Sequence, residues 1–168
     1  MRTMKKIIIV ILCIGAMMPV KAEEVSQAYL NYIWQYKDVA REQQREYGIP
    51  ASITMAQALL ESSAGQSELA IYARNHFGIK CTSNWEGKCY KHDDDQAQED
   101  FRVYDSVPQS YEDHSLFLRR ARYQSLYTIP MSDYRGWAHE LRRCGYATDP
   151  KYPEKLIRLI ELYKLDLL

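Results

Sequence analysis

The sequence lacks several things, and each absence excludes a class of function. It has no charge excess: 22 Lys and Arg balance 22 Asp and Glu over 168 residues. Nucleic-acid binders usually carry a basic surplus, so that class is set aside. Only four cysteines occur, without a Cys-x-x-Cys pair or zinc-ligand spacing. His76, His92, His114 and His139 share no metal-ligand rhythm. Asp93, Asp94 and Asp95 lack the Asp-x-Asp-x-Asp-Gly pattern of a calcium loop. Ser62 and Ser63 sit in no Gly-x-Ser-x-Gly elbow, and no phosphate-cradling glycine loop is present. No metal or organic cofactor is therefore expected. There is no repeat, low-complexity tract or Pro/Gly/Ser-rich linker, and 46% of residues are hydrophobic, so one globular domain is the simplest reading.

No apolar run is long enough to span a bilayer, which needs about 20 residues. The longest, Ile7–Met18, follows the cations Arg2, Lys5 and Lys6 and is broken by Pro19. Val20-Lys21-Ala22 then supplies small residues at the cleavage positions of a secretory signal peptide. The reading is a signal peptide over residues 1–22 and a working domain over residues 23–168. Leu12 is too bulky for a lipoprotein signal at Cys13. Cleavage removes four cations and no acid, leaving a net charge of −4. The exported domain, secreted or periplasmic, has no electrostatic footprint for nucleic acid or an anionic membrane. It is expected to act as a monomer. Export permits a disulfide among Cys81, Cys89 and Cys144. Cys81 with Cys89 is the first pairing to consider, and pairing of Cys144 with either stays open.

Helical spacing runs from Ser26 to Glu46 and stops at Gly48. Pro50 suits the first turn of a second helix carrying Ile53, Ala56, Gln57, Leu60, Glu61 and Ala64 up to Gly65. Ser67 caps a short helix through Tyr72. Residues 88–93 and 97–104 pair as a β-hairpin around Asp94, Asp95 and Gln96. Asp105-Ser106 and Ser132-Asp133 open further helices, the second closed by Gly145. A last helix starts near Tyr152-Pro153. The expected fold is mainly α, with a small β-hairpin lobe beside a cleft.

Among the acids, Glu61 stands out. It shares a helix face with Gln57 and Ile53. Apolar neighbours and the negative end of the helix dipole disfavour its charge, which suits a general acid for glycoside cleavage. Taken alone, a surface glutamate remains the simpler explanation. Asp93, Asp94 and Asp95 read as hairpin-tip residues, one of which could face a cleft. With the turn centred on Asp95, Glu99 falls opposite Lys91 and a cross-strand ion pair results. Fourteen tyrosines suit a glycan groove, although most tyrosines belong to a core or its boundary.

Four segments in register change that balance: AQALLESSAGQS (Ala56 to Ser67), RNHFGIKC (Arg74 to Cys81), FRVYDS (Phe101 to Ser106) and GYATDPKY (Gly145 to Tyr152). Together they resemble the bacterial glucosaminidases of glycoside hydrolase family 73, from about Tyr47 to the C-terminus. The resemblance implies a lysozyme-like helical bundle with an inserted hairpin, acting on peptidoglycan glycan strands. It implies endo cleavage of the N-acetylglucosaminyl–N-acetylmuramyl bond, with Glu61 as the general acid. Where the family often carries Glu-Ser-Gly-Trp-Gly, this chain has Glu61-Ser62-Ser63-Ala64-Gly65. That departure touches one aromatic wall of the cleft and not the acid. The segment with Asn75, Phe77, Gly78 and Lys80 is expected to shape the cleft and bind substrate. Tyr146 is expected near the scissile sugar. Asp93 is the first candidate for a second carboxylate, with Asp94 and Glu99 as alternatives. The substrate's own acetamido oxygen could replace all three. A lytic transglycosylase and a non-catalytic glycan-binding module are the rival readings.

Overall fold

The computed structural model describes residues 25–93 and 97–168. The expected signal peptide and the candidate Asp94 lie outside the described residues. The order is α1 (Gln27–Tyr47), α2 (Ala51–Ser62), α3 (Glu68–Ala73), β1 (Cys89–His92), β2 (Glu99–Arg102), α4 (Val107–Leu118), α5 (Tyr134–Arg143) and α6 (Tyr152–Tyr163). A 3-10 segment over Ala121–Thr128 joins α4 to α5, and a short 3-10 turn, Leu165–Leu167, follows α6. The sequence periodicity had no signal for the first of these.

Helix boundaries follow local chemistry. Gly48, at φ +71°, closes α1 and donates its N–H to Gln44. The Gln44 side chain then accepts from the Ala51 N–H at 2.8 Å, which joins the end of α1 to the start of α2. Ser67, Ser106 and Asp133 each accept from a backbone N–H in the first turn of α3, α4 and α5. Gly145, at φ +76°, follows α5, and the Tyr146 N–H returns to the Leu141 carbonyl.

Helix α2 is the centre of the molecule. Every residue from Ala51 to Leu59 is buried, so it has no solvent face to alternate with. It packs against α1, α5 and α6, and Ile49, Ile53, Met55, Leu59, Trp137, Leu141, Leu156 and Ile160 fill the core. The helix ends at Ser62, three residues before Gly65. Ser63, Ala64 and Gly65 then take successive left-handed conformations, with φ of +51°, +56° and +78°. The glycine that the family often carries at the first of these positions suits that backbone without a Cβ penalty.

The hairpin is a two-stranded antiparallel sheet pairing Cys89 with Arg102 and His92 with Glu99. Lys91 therefore faces Asp100, with an ion pair at 3.0 Å, and not Glu99. The turn sits half a residue later than a centre on Asp95, and in a sheet one residue of register exchanges the two faces. Glu99 instead takes the Lys80 ammonium on both oxygens, each at 2.9 Å. Cys81 and Cys89 form the disulfide and Cys144 is free.

Candidate active site

A cleft of about 750 Å³ separates the helical body from the hairpin. Leu60 and Glu61, at the end of α2, lie in its lining. Tyr146, Ala147, Thr148 and Tyr152 form a wall between α5 and α6. Phe77, Gly78, Ile79 and Lys80 form the facing wall together with His92 and Phe101 of the hairpin. A second depression of about 720 Å³ between α5 and α6 is a surface groove in which Arg135 pairs with Glu161. It holds none of the residues singled out for chemistry.

Glu61 is half-buried, and its Oε1 accepts a hydrogen bond from the Tyr152 hydroxyl at 2.8 Å. The Tyr152 oxygen in turn accepts from Gln57 Nε2 at 3.1 Å. Gln57 is fully buried one helical turn before Glu61, so the shared face read from the sequence is real. The side chains meet through a tyrosine from α6. Tyr146 packs 5.7 Å from Tyr152, ring to ring. Burial pushes the hydroxyls of both tyrosines well above their ordinary range, and the nearby Glu61 charge adds to it. Both phenols therefore stay protonated; Tyr152 donates to Glu61, and neither is suited to act as a base.

The facing wall is held from behind. Asn75 is fully buried and does not reach the cleft. Its Nδ2 donates to the carbonyls of Ile79 (2.9 Å) and Arg102 (3.0 Å), and its Oδ1 accepts from the Ile79 N–H (3.1 Å). These bonds lay residues 79–81 alongside β2, where Arg102 N–H donates to Ile79 and Cys81 N–H to Asp100. Gly78, at φ +62°, makes the turn that brings this segment to the cleft surface. Phe77 is nearly buried and stacks on His114 at 3.9 Å between ring centres. Lys80 lines the cleft while bonded to Glu99.

Of the sequence-derived residues, Glu61, Phe77, Gly78, Lys80 and Tyr146 come together around one cleft. Asp93 does not join them. It is exposed, and its Oδ1 accepts from the Gln98 N–H (2.8 Å) and the Gln98 side chain (3.1 Å), which hold its carboxyl below the usual range. Tyr152 and His114 were missed. The signal for Tyr152 was its place at the end of the GYATDPKY segment. His114 had none, because an imidazole in a helix shows nothing of its burial. It is fully buried, burial lowers its pKa to about 3, and neither ring nitrogen has a partner among the described residues. Among those same residues no three His, Cys, Asp or Glu side chains gather as metal ligands, and no helix is long and apolar enough to cross a membrane.

Residues 37–165 match the family model described as "Glucosaminidase: Mannosyl-glycoprotein endo-beta-N-acetylglucosaminidase". The exo-glucosaminidase LytG of Bacillus subtilis is 36% identical over 133 residues, 72% of this chain and 46% of that protein. The peptidoglycan hydrolase FlgJ of Salmonella typhimurium is 32% identical over 138 residues, 74% of this chain and 43% of that protein. The chain thus spans less than half the length of these curated relatives. In structure it is similar to the catalytic domain of the autolysin Auto from Listeria monocytogenes. The TM-score is 0.71 at 28% identity, covering 88% of this chain and 90% of that one.

Proposed function

The chain belongs to the glucosaminidase family, and from that premise we propose that it is a peptidoglycan hydrolase with Glu61 as its general acid. The bond cleaved is the one between N-acetylglucosamine and N-acetylmuramic acid, within the strand. The observation that carries this reading is the fixed position of Glu61 in the cleft, anchored by Tyr152 and backed by Gln57. The Tyr152 O–H makes Oε1 an acceptor, so the transferable proton belongs on Oε2. Delivered to the glycosidic oxygen, it lets the leaving sugar depart as an alcohol while positive charge develops on the ring.

Two routes can meet that charge. Asp93 could activate water or stabilise the ring. Alternatively, the acetamido oxygen of the substrate attacks the anomeric carbon, and water later opens the cyclic intermediate. The position of Asp93 at the hairpin tip, outside the cleft lining, favours the acetamido route. Tyr146, a protonated donor beside Tyr152, is suited to orient a sugar hydroxyl or the acetamide.

The name of LytG favours an exo mode as a second reading, and the family description favours endo. The Cys81–Cys89 disulfide supports an oxidising, extracytoplasmic location, reached through a signal peptide over residues 1–22. The test is digestion of purified peptidoglycan by the wild type and by Glu61→Gln, followed by mass spectrometry. Endo hydrolysis releases oligosaccharides with free reducing N-acetylglucosamine ends, whereas an exo enzyme releases small products from the start. A lytic transglycosylase would leave 1,6-anhydromuramic ends, and a binding module would release nothing. Glu61→Gln should slow release by about a thousandfold with its thermal midpoint unchanged. Equal activity in that variant would sink the assignment.

A further inference from the structure

Two lysines and one arginine line the cleft: Lys80, Lys155 and Arg120. Two of them are paired within the protein, Lys80 with Glu99 and Lys155 with Asp149 at 2.6 Å. Arg120 differs. Its side chain is exposed, and among the described residues no carboxylate lies within ion-pair distance of it. Its guanidinium lies over the Phe117 ring, 4.5 Å from the ring centre. An exposed guanidinium offers five N–H donors in one plane, the fork that takes a carboxylate in two hydrogen bonds.

A row of ring contacts links that fork to Glu61. Phe117 meets Tyr146 edge-on, with ring centres 6.1 Å apart, and Tyr146 packs on Tyr152, which holds Glu61. Arg120 therefore stands at the far end of an aromatic row that begins at the general acid. Arg120 and Glu61 line the same cleft, so a strand bound along this wall would meet both.

We propose that Arg120 is a specificity-determining residue that binds a carboxylate carried by the glycan strand. The inference rests on the peptidoglycan reading above. A neutral N-acetylglucosamine polymer offers no such group. A peptidoglycan strand offers it in the peptide stems, or on the lactyl group of a muramyl residue whose stem has been removed. The shared chemistry is a carboxylate beside the cleaved bond.

The test measures binding by calorimetry in the Glu61→Gln background, with and without Arg120→Ala and Arg120→Lys. The ligands are soluble stem-bearing strands, the same strands stripped of peptide by an amidase, and chitohexaose. Arg120→Ala should weaken a carboxylate-bearing ligand about tenfold and chitohexaose less than twofold. Arg120→Lys should recover part of the loss, because it keeps the charge and not the fork. A loss confined to stem-bearing strands assigns the peptide carboxylates, and a loss on stripped strands assigns the lactyl group. Equal affinity with and without Arg120 for all three ligands overturns the proposal. So does an equal loss on all three, which would mark a structural role. A wild type that releases no reducing ends from peptidoglycan sinks the underlying function, whereas an active wild type indifferent to Arg120 sinks this inference alone.

Discussion

The two walls of the cleft are held by different means. On the helical side, Glu61 ends a helix whose residues Ala51–Leu59 are all buried, and its carboxylate is reached from inside the core through Gln57 and Tyr152. On the hairpin side there are two strands of four residues, too little to stand alone in water. That wall depends on a few specific ties: the hydrogen bonds of Asn75, the Arg102–Asp113 ion pair at 2.9 Å, and the covalent Cys81–Cys89 disulfide. The exposed Lys91–Asp100 pair adds little, since such pairs contribute about 0–1 kcal/mol. The acid's position is thus a property of the core, while the opposite wall is set by individual side chains.

Asn75→Ala tests this division most severely. It strands the Arg102 carbonyl and the Ile79 N–H, each costing about 1–3 kcal/mol when buried without a partner, while the Ile79 carbonyl keeps its bond from the Arg102 N–H. Chemical denaturation should show a loss of about 2–6 kcal/mol, with amide exchange rising first over residues 79–81 and β2. If exchange rose equally throughout α2, the walls would be one cooperative unit and the comparison would fail. Tyr152→Phe is the counterpart on the helical side. It keeps the ring and removes the bond to Glu61, so kcat should fall about 10- to 50-fold with KM changed less than twofold. An unchanged kcat would mean that Tyr152 is packing only.

The helical wall was the more legible from sequence, for the same reason. Regular spacing put Gln57 and Glu61 on one face, and the caps Ser67, Ser106 and Asp133 were readable as residue types. The resemblance brought in Tyr146 and the Asn75–Lys80 segment. What could not be read was long-range and polar. Asn75 was expected to touch substrate, yet its amide works on backbone 27 residues away. The partner of Glu99 depended on a register that a tip of three aspartates does not specify, and it proved to be Lys80. Arg120 sits just past the end of α4, where periodicity gives no indication of what a side chain overlies.

A smaller effect separates the walls by pH. His114 lies behind Phe77, and burial lowers its pKa to about 3 from an ordinary value of 6.5. The unfolded chain therefore binds a proton at higher pH than the folded one. Stability contributed by the neutral imidazole is full above about pH 6.5 and is lost progressively as pH falls toward 3. His76, lowered by burial to about 4, acts in the same direction. Between pH 7 and pH 5 the His114 share should be about 2 kcal/mol, read from denaturation midpoints. His114→Phe should flatten that slope, and because neither ring nitrogen has a partner among the described residues, it forfeits no hydrogen bond there. A slope unchanged by His114→Phe would place the pH sensitivity elsewhere.

The smallest expected effect is also the sharpest test of how the two walls share the chemistry. Asp93→Asn removes the hairpin-tip charge yet keeps an oxygen to accept from Gln98, so the turn should persist. Those hydrogen bonds hold the Asp93 carboxyl below its usual range, which suits a base or a charge and not a general acid. If the acetamido group of the substrate supplies the nucleophile, the reaction needs nothing from Asp93. The rate of reducing-end release should then fall less than tenfold. The products would retain the anomeric configuration, because a cyclic intermediate is formed and opened on the same face. If Asp93 instead activates water directly, the variant should fall nearly as far as Glu61→Gln and the wild-type products should be inverted. Proton NMR of the first product formed distinguishes the two in one experiment. An inverted product would make the hairpin a catalytic partner of the core, not a wall that only shapes the cleft.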